Sequence, residues 1–175
     1  LKGFGKINPP LRTEEAAQEM WDLLQHGDID MVTSDHAPWA LDQKQADDIF
    51  ANASGAPGVE TLFPLLFSEG FVERGFSAVR IAQILSEKPA RRFNLFPRKG
   101  HIGLGADADL AIIDPKVRWT IHGSDLHSSA LWTPFEGMAV TGKIVQTILR
   151  GRVIYDGKEV QAQPGEGEFI PAVRD

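Results

Sequence analysis

The sequence predicts an α/β segment that gives way, near residue 98, to a mostly β segment. Three observations carry this reading. Residues 13–26 place apolar side chains at helical spacing, and a short apolar run, Ile29 to Thr33, follows one glycine turn later. Helix, tight turn and buried strand is the grammar of an α/β protein. Beyond Arg98 glycine becomes frequent, and the apolar stretches turn short and alternating. The 175 residues, 42% hydrophobic and 24% charged, have an ordinary globular balance. That length suits one domain, or one domain and a part.

Each element has its own reason. Thr13 is a good N-cap, Glu14 and Glu15 sit in the first turn, and Gly27 follows the end of the helix. Ala16, Ala17, Met20, Trp21, Leu23 and Leu24 give that helix an inward face. The strand Ile29 to Thr33 ends in Ser34-Asp35-His36-Ala37-Pro38. Residues 40–54 are polar and aperiodic, a length that suits a loop over a site. Gly55-Ala56-Pro57-Gly58 is a turn, and Val59 to Glu73 reads as a helix with a kink or break at Gly70. Ser77 caps a helix to about Leu85, and Ser86 caps a shorter one through Phe93. The predicted strands are Ala108 to Ile113, Val117 to Ile121, Ile144 to Leu149 and Val153 to Tyr155. Turns fall at Asp114-Pro115, Gly151 and Asp156-Gly157. From Gln161 the chain reads as an extended arm. The composition shift therefore divides the chain into residues 1–97, 98–160 and 161–175.

Charge and composition exclude several classes. The net charge is −6, and the 18 basic residues are dispersed, with only Arg91-Arg92 and Arg98-Lys99 as local pairs. No nucleic-acid face is expected from that pattern. Without cysteine there is no disulfide framework and no thiolate metal site. No apolar run approaches the ~18 residues of a membrane span. Leu1 to Gly5 does not read as a signal peptide. A cytoplasmic setting fits these features. The start at Leu1 rather than Met suggests a piece of a longer protein.

Asp35 is the leading candidate for chemistry. In barrel-type α/β folds, side chains at strand C-termini point into the active site, where a carboxylate binds metal or moves protons. The competing reading is an aspartate that caps a turn. His36 follows directly, and neighbours on a strand point to opposite sides, so both do not easily ligate one metal. A hydrogen-bonded structural histidine is the favoured reading of His36. His26, His101, His122 and His127 form no His-x-His or His-x-x-x-His pattern. There is no Gly-x-Ser-x-Gly elbow and no P-loop. Gly100-x-x-Gly103-x-Gly105 precedes a strand rather than a helix, which speaks against phosphate cradling.

Several stretches, in order, resemble one family. They are Lys6-Ile7-Asn8-Pro9-Pro10-Leu11-Arg12, Gly27-Asp28-Ile29-Asp30 and Thr33-Ser34-Asp35-His36-Ala37-Pro38. Gly55-Ala56-Pro57-Gly58-Val59-Glu60-Thr61, Pro89-Ala90-Arg91-Arg92-Phe93 and the run from Lys99 to Leu110 follow. Pro134-Phe135-Glu136-Gly137 and Thr147-Ile148-Leu149-Arg150-Gly151-Arg152 complete the set. Together they resemble the cyclic amidohydrolases: dihydroorotase, allantoinase, hydantoinase and dihydropyrimidinase.

The resemblance implies the C-terminal end of a (β/α)8 TIM-type barrel in residues 1–97. It implies the C-terminal share of a small β-sandwich domain in 98–160 and a tail in 161–175. It further implies two divalent metal ions, expected to be zinc, whose other ligands lie upstream of Leu1. In the family the metals share a bridging water and lower its pKa toward about 7. Asp35 matches the last metal ligand and general base, taking a proton as hydroxide attacks the ring carbonyl and handing it to the leaving nitrogen. Asn8 and Ser54 match positions that contact the ring, against readings as a turn-starting residue and an ordinary loop serine. Trp39 stands where many dihydroorotases carry a histidine for the substrate carboxylate. It offers an apolar wall and one N–H donor, which leans toward a less acidic ring, although Lys6 to Arg12 looks most like dihydroorotases. The alternative for Trp39 is simple packing under the loop.

The expected partners are a small cyclic amide, further copies of the chain in a homo-oligomer, and the missing N-terminal part. Two rival readings remain. One is a non-catalytic relative that serves as an assembly or interaction protein. The other is a free-standing β-rich binding module beginning near Arg98.

Overall fold

The computed structural model describes residues 2–172. Helix α1 spans Glu14–His26, with the Thr13 hydroxyl accepting from the Ala16 amide. Gly27 closes it at φ 99°, a left-handed conformation that glycine adopts without steric cost. Arg80 completes the end: Nε and Nη2 donate to the Leu24 carbonyl at 3.0 and 2.6 Å, and Nη2 donates to the Ile29 carbonyl at 2.9 Å. A guanidinium on the last-turn carbonyls satisfies orphan acceptors and opposes the helix dipole.

The expected strand at Ile29 to Thr33 forms no ladder. Strands exist through their neighbours, and a parallel neighbour arrives only through a crossover connection. None is present among the described residues. Val32 N–H instead donates to the Ile84 carbonyl at 3.3 Å, and Ile29 and Val32 pack on the core. That core is Leu24, Leu66, Phe76, Ile81 and Ile84, with Trp21, Phe63, Phe71 and Leu85 around it.

Two helical stretches differ from expectation. Helix α2, Leu62–Leu65, widens without a break into a π-helical run, Leu66–Glu73. Pro64 sits in the first turn, where an amide would lack an intrahelical partner anyway. Gly70 does not break the run; a Cβ there would stand 3.3 Å from Ile81 Cδ1 and 3.5 Å from Phe76 Cδ2. Its smallness serves close packing. Next, α3 (Ala78–Ala82), a π-helical run (Gln83–Glu87) and α4 (Lys88–Arg92) are continuous. Ser77 caps this stretch by accepting from the Arg80 amide at 3.0 Å, but Ser86 lies within it and caps nothing. The widened turns lie just before Pro89, which has no N–H to donate.

The β part is one antiparallel sheet in the order β1 (Leu110–Thr120), β2 (Ala139–Leu149), β3 (Arg152–Tyr155). The expected turn at Asp114-Pro115 is absent. Strand β1 runs through it, with the register shifting between Asp114 and Arg118. Such a bulge tolerates a proline that cannot donate to the ladder. Strand β2 starts earlier than its apolar pattern suggests, because Thr120, Trp119 and Arg118 pair with Ala139, Val140 and Thr141. Arg150 and Gly151 turn β2 into β3, both with positive φ, as a type I′ hairpin requires. The sheet meets the helices through β2: Thr141 N–H donates to the buried Ser68 hydroxyl at 3.0 Å, and the Phe67 ring lies over Gly142. The segment after β3 is tied back to the sheet, with Gln161 N–H on the Ile154 carbonyl at 2.8 Å and Glu166 paired with Arg152.

Candidate functional site

The candidate residues fall on three connected stretches: 6–8, 35–44 and 50–60. Asp35 is exposed, and its backbone is left-handed at φ 44°. Among the described residues its carboxylate takes part in no hydrogen bond and no ion pair. The following residue is fixed firmly. His36 forms an isolated parallel bridge with Ala56, and its Nδ1 accepts from the Gly58 and Val59 amides at 3.0 and 3.2 Å. A ring nitrogen that accepts two N–H groups carries no proton, so any ring proton of this histidine sits on Nε2. His36 is thus the hydrogen-bonded structural histidine that its sequence context favours.

Ala37 N–H donates to the Ala56 carbonyl at 3.0 Å, which aligns 36–37 beside 55–56. Gly55 lies in that contact at φ 119°, and a Cβ there would come within 2.6 Å of Ala37 Cβ. Only glycine fits both the conformation and the gap.

Trp39 and Ser54 are joined directly, the indole N–H donating to the Ser54 carbonyl at 2.8 Å. The Trp39 carbonyl in turn accepts from the Trp132 indole at 2.8 Å. Trp132 is buried, reaches in from the stretch between β1 and β2, and packs edge-on against Phe4 at 5.0 Å. The Ser54 hydroxyl is buried and has no partner among the described residues. Asn8 is exposed, two residues from Lys6, whose carbonyl accepts from the Gly55 amide at 3.0 Å. The fold therefore brings the backbones near Asn8 and Ser54 together, with Trp39 bonded to Ser54. It makes no hydrogen bond between these residues and the Asp35 carboxylate.

The loop at residues 40–54 holds a residue that sequence reasoning passed over. Lys44 is fully buried, and its ammonium donates to the carbonyls of Lys6, Ala53 and Gly55 at 2.9, 2.8 and 3.0 Å. Lys6 adds a second ammonium, donating to the Phe50 and Asn52 carbonyls at 3.0 and 2.7 Å. The Asn52 side chain, also buried, closes the loop on Ala46 and Asp48. Burial, followed by the neighbouring Lys6 charge, pushes the Lys44 pKa down. A lysine in a polar loop carries no signal of burial in sequence, because lysine is almost never fully buried.

Two further histidines tie elements together. Glu60 accepts from the backbone and ring of His127, both at 2.8 Å. Glu136 accepts from the Gly123 amide at 2.8 Å and lies 2.7 Å from His122 Nδ1. Among the described residues no three His, Asp or Glu side chains gather closely enough to hold a metal ion. Asp35 is one free carboxylate, a suitable oxygen ligand for a divalent cation.

Comparison with known proteins agrees with the motif order. Residues 9–154 match the amidohydrolase family. The chain is 44% identical over 166 residues to a dihydroorotase of Halobacterium salinarum, covering 94% of this chain and 38% of that protein. It is 39% identical over 170 residues to an allantoinase of Rubrobacter xylanophilus, covering 97% and 37%. The solved structure of an L-hydantoinase (dihydropyrimidinase) from Arthrobacter aurescens superposes with a TM-score of 0.93 at 34% identity, covering 97% of this chain and 38% of that one. The chain thus spans under two-fifths of the length of these relatives. Along most of its own length it is similar to them in sequence and fold, and it belongs to the amidohydrolase family.

Proposed function

We propose that this chain is part of a metal-dependent cyclic amide hydrolase and supplies its general base, Asp35. The state of Asp35 carries the reading. A left-handed backbone at a residue other than glycine costs about 1 kcal/mol or more and persists where surrounding structure enforces it, often at functional sites. Here His36 supplies that enforcement, while the Asp35 carboxylate stays exposed and unused. An aspartate serving only to cap a turn would spend its carboxylate on nearby amides. Similarity to proteins named dihydroorotase, allantoinase and hydantoinase supports a cyclic amide as substrate. On this reading residues 1–97 belong to a (β/α)8 barrel, 98–160 to a small β-sandwich and 161–175 to a tail.

Asp35 would hold one divalent ion, with the other ligands supplied from elsewhere in the whole protein. When bound, such an ion supplies an acidified water and polarises the ring carbonyl. Asp35 takes the proton at a carboxylate oxygen as water attacks, and delivers it to the ring nitrogen as the C–N bond opens. Asn8 and the Ser54 backbone face the alternating N–H and C=O edge of the ring, and the Trp39 indole walls it. The Trp39 N–H is committed to Ser54, so it offers nothing to a substrate carboxylate. That favours a hydantoin, allantoin or dihydropyrimidine over dihydroorotate.

The test uses the intact, metal-loaded enzyme and a panel of these four ring types. The wild type should open at least one ring, and Asp35→Asn should lower kcat by about 10²–10⁴-fold. A wild-type protein that retains no divalent ion and opens no ring would point instead to a non-catalytic relative.

A further inference from the structure

The Lys44 ammonium stands at the junction of the two backbone stretches proposed to meet the ring. Its three hydrogen bonds reach the carbonyl of Lys6 on one stretch and those of Ala53 and Gly55 on the other. The same two stretches are joined by the Gly55 amide on the Lys6 carbonyl. Asn8 lies two residues beyond one anchor, and Ser54 lies between the other two. None of the three bonds goes to a carboxylate, so no hydrogen-bonded counter-ion accompanies the buried charge. A buried charge without a counter-ion is costly, and a hydrophobic residue would be the cheaper filler if the site needed only volume. An ammonium is suited to this task because it offers three donors from one point and accepts nothing. The Trp132 ring, 5.9 Å from Nζ, adds a cation–π contact. Lys6 repeats the device one step along the loop, on the Phe50 and Asn52 carbonyls.

We infer that Lys44 is a positioning residue: its ammonium fixes the Lys6 and Ala53–Gly55 carbonyls relative to one another, and so sets the spacing between Asn8 and the Ser54 backbone at the ring. The inference rests on the hydrolase reading of the site. It assigns Lys44 to substrate binding and not to proton transfer, because all three of its donors are already spent on the Lys6, Ala53 and Gly55 carbonyls.

The experiment compares wild type, Lys44→Met and Lys44→Arg in the intact, metal-loaded enzyme. Lys44→Met keeps the length but removes all three donors; KM should rise about tenfold or more, with a smaller change in kcat and unchanged metal content. Lys44→Arg restores charge and donors in a planar fork and should recover part of that loss. A change in thermal midpoint alone, with KM unaltered, would overturn the inference and leave Lys44 a purely structural residue. Should Lys44→Met fail to fold, the wild-type protein decides. With 15N-labelled lysine, the Lys44 Nζ resonance should shift when a non-hydrolysed cyclic imide binds, and an unmoved resonance at saturation overturns the inference. A wild type that turns over no cyclic amide defeats the hydrolase reading itself. Turnover by the wild type with unchanged KM in both variants defeats only the role given to Lys44.

Discussion

His36 acts through one atom. Nδ1 accepts two amides, from Gly58 and Val59, and the ring is thereby held beside the exposed Asp35. The requirement is an acceptor at that point. His36→Asn, whose side-chain oxygen can accept there, should stay within about 1 kcal/mol of wild type, whereas His36→Leu strands both amides and should lose about 1–3 kcal/mol. Urea unfolding of both variants checks this; equal losses would show that ring volume matters instead. His122 is different, because it gains a proton partner. The hydrogen bond to Glu136 raises its pKa above the ordinary 6.5. Glu136 is lowered from its ordinary 4.5, first by the Gly123 amide and then by His122. The histidine's contribution is complete below 6.5 and fades as pH rises through its raised value. The glutamate's is complete above 4.5 and fades as pH falls through its lowered value. The pair therefore acts at full strength between pH 4.5 and 6.5. An NMR titration should place the His122 midpoint above 6.5 and return it toward that value in Glu136→Gln.

At the scale of elements, capping decides where helices begin and tertiary packing decides where they continue. Ser77 and Ser86 look alike in sequence, each preceding a helical stretch. Only Ser77 has an extended backbone, at φ −70° and ψ 150°, and a bond to a later amide. Ser77→Ala should cost about 1 kcal/mol, while Ser86→Ala should change stability by less than about 0.5 kcal/mol. Urea midpoints for the two variants test this, and the reverse ranking would mean that the helix restarts at Ser86. The sheet makes the same point. Pro115 marks a turn when read alone, yet pairing on both sides of it carries β1 through as one bulged strand.

For the whole molecule, surface area is the informative quantity. The chain exposes 11571 Å², against about 8,400 Å² for a compact monomer of 19.2 kDa. Part of the excess is apolar: Phe50, Ile102, Leu104 and Phe169 are each at least 85% exposed. Surface of this kind is normally covered by other protein. Expressed alone, these 175 residues should self-associate and bind a hydrophobic dye, and sedimentation velocity should show species larger than the monomer. A single monomeric boundary with no dye binding would contradict this.

Helix α1 with both caps, the β2–β3 hairpin at Gly151, the change of texture near residue 98 and the family are all readable from local sequence. These depend on neighbours along the chain: a threonine before two glutamates, a glycine at a left-handed turn, an ordered set of motifs. Of the proposed site, Asp35 stands out in the sequence because it follows an apolar run, whereas Asn8, Trp39 and Ser54 are reached only through the resemblance to the cyclic amidohydrolases. Distant contacts settle the rest: among the described residues Ile29 to Thr33 joins no ladder, Leu62–Glu73 and Ala78–Arg92 run without breaks, and Lys44 is buried on three carbonyls. The contacts that decide these features come from residues far apart along the chain, as Val32 on Ile84 and Lys44 on Lys6 show. A strand needs a neighbour to pair with, and a lysine needs converging carbonyls before its charge can leave water.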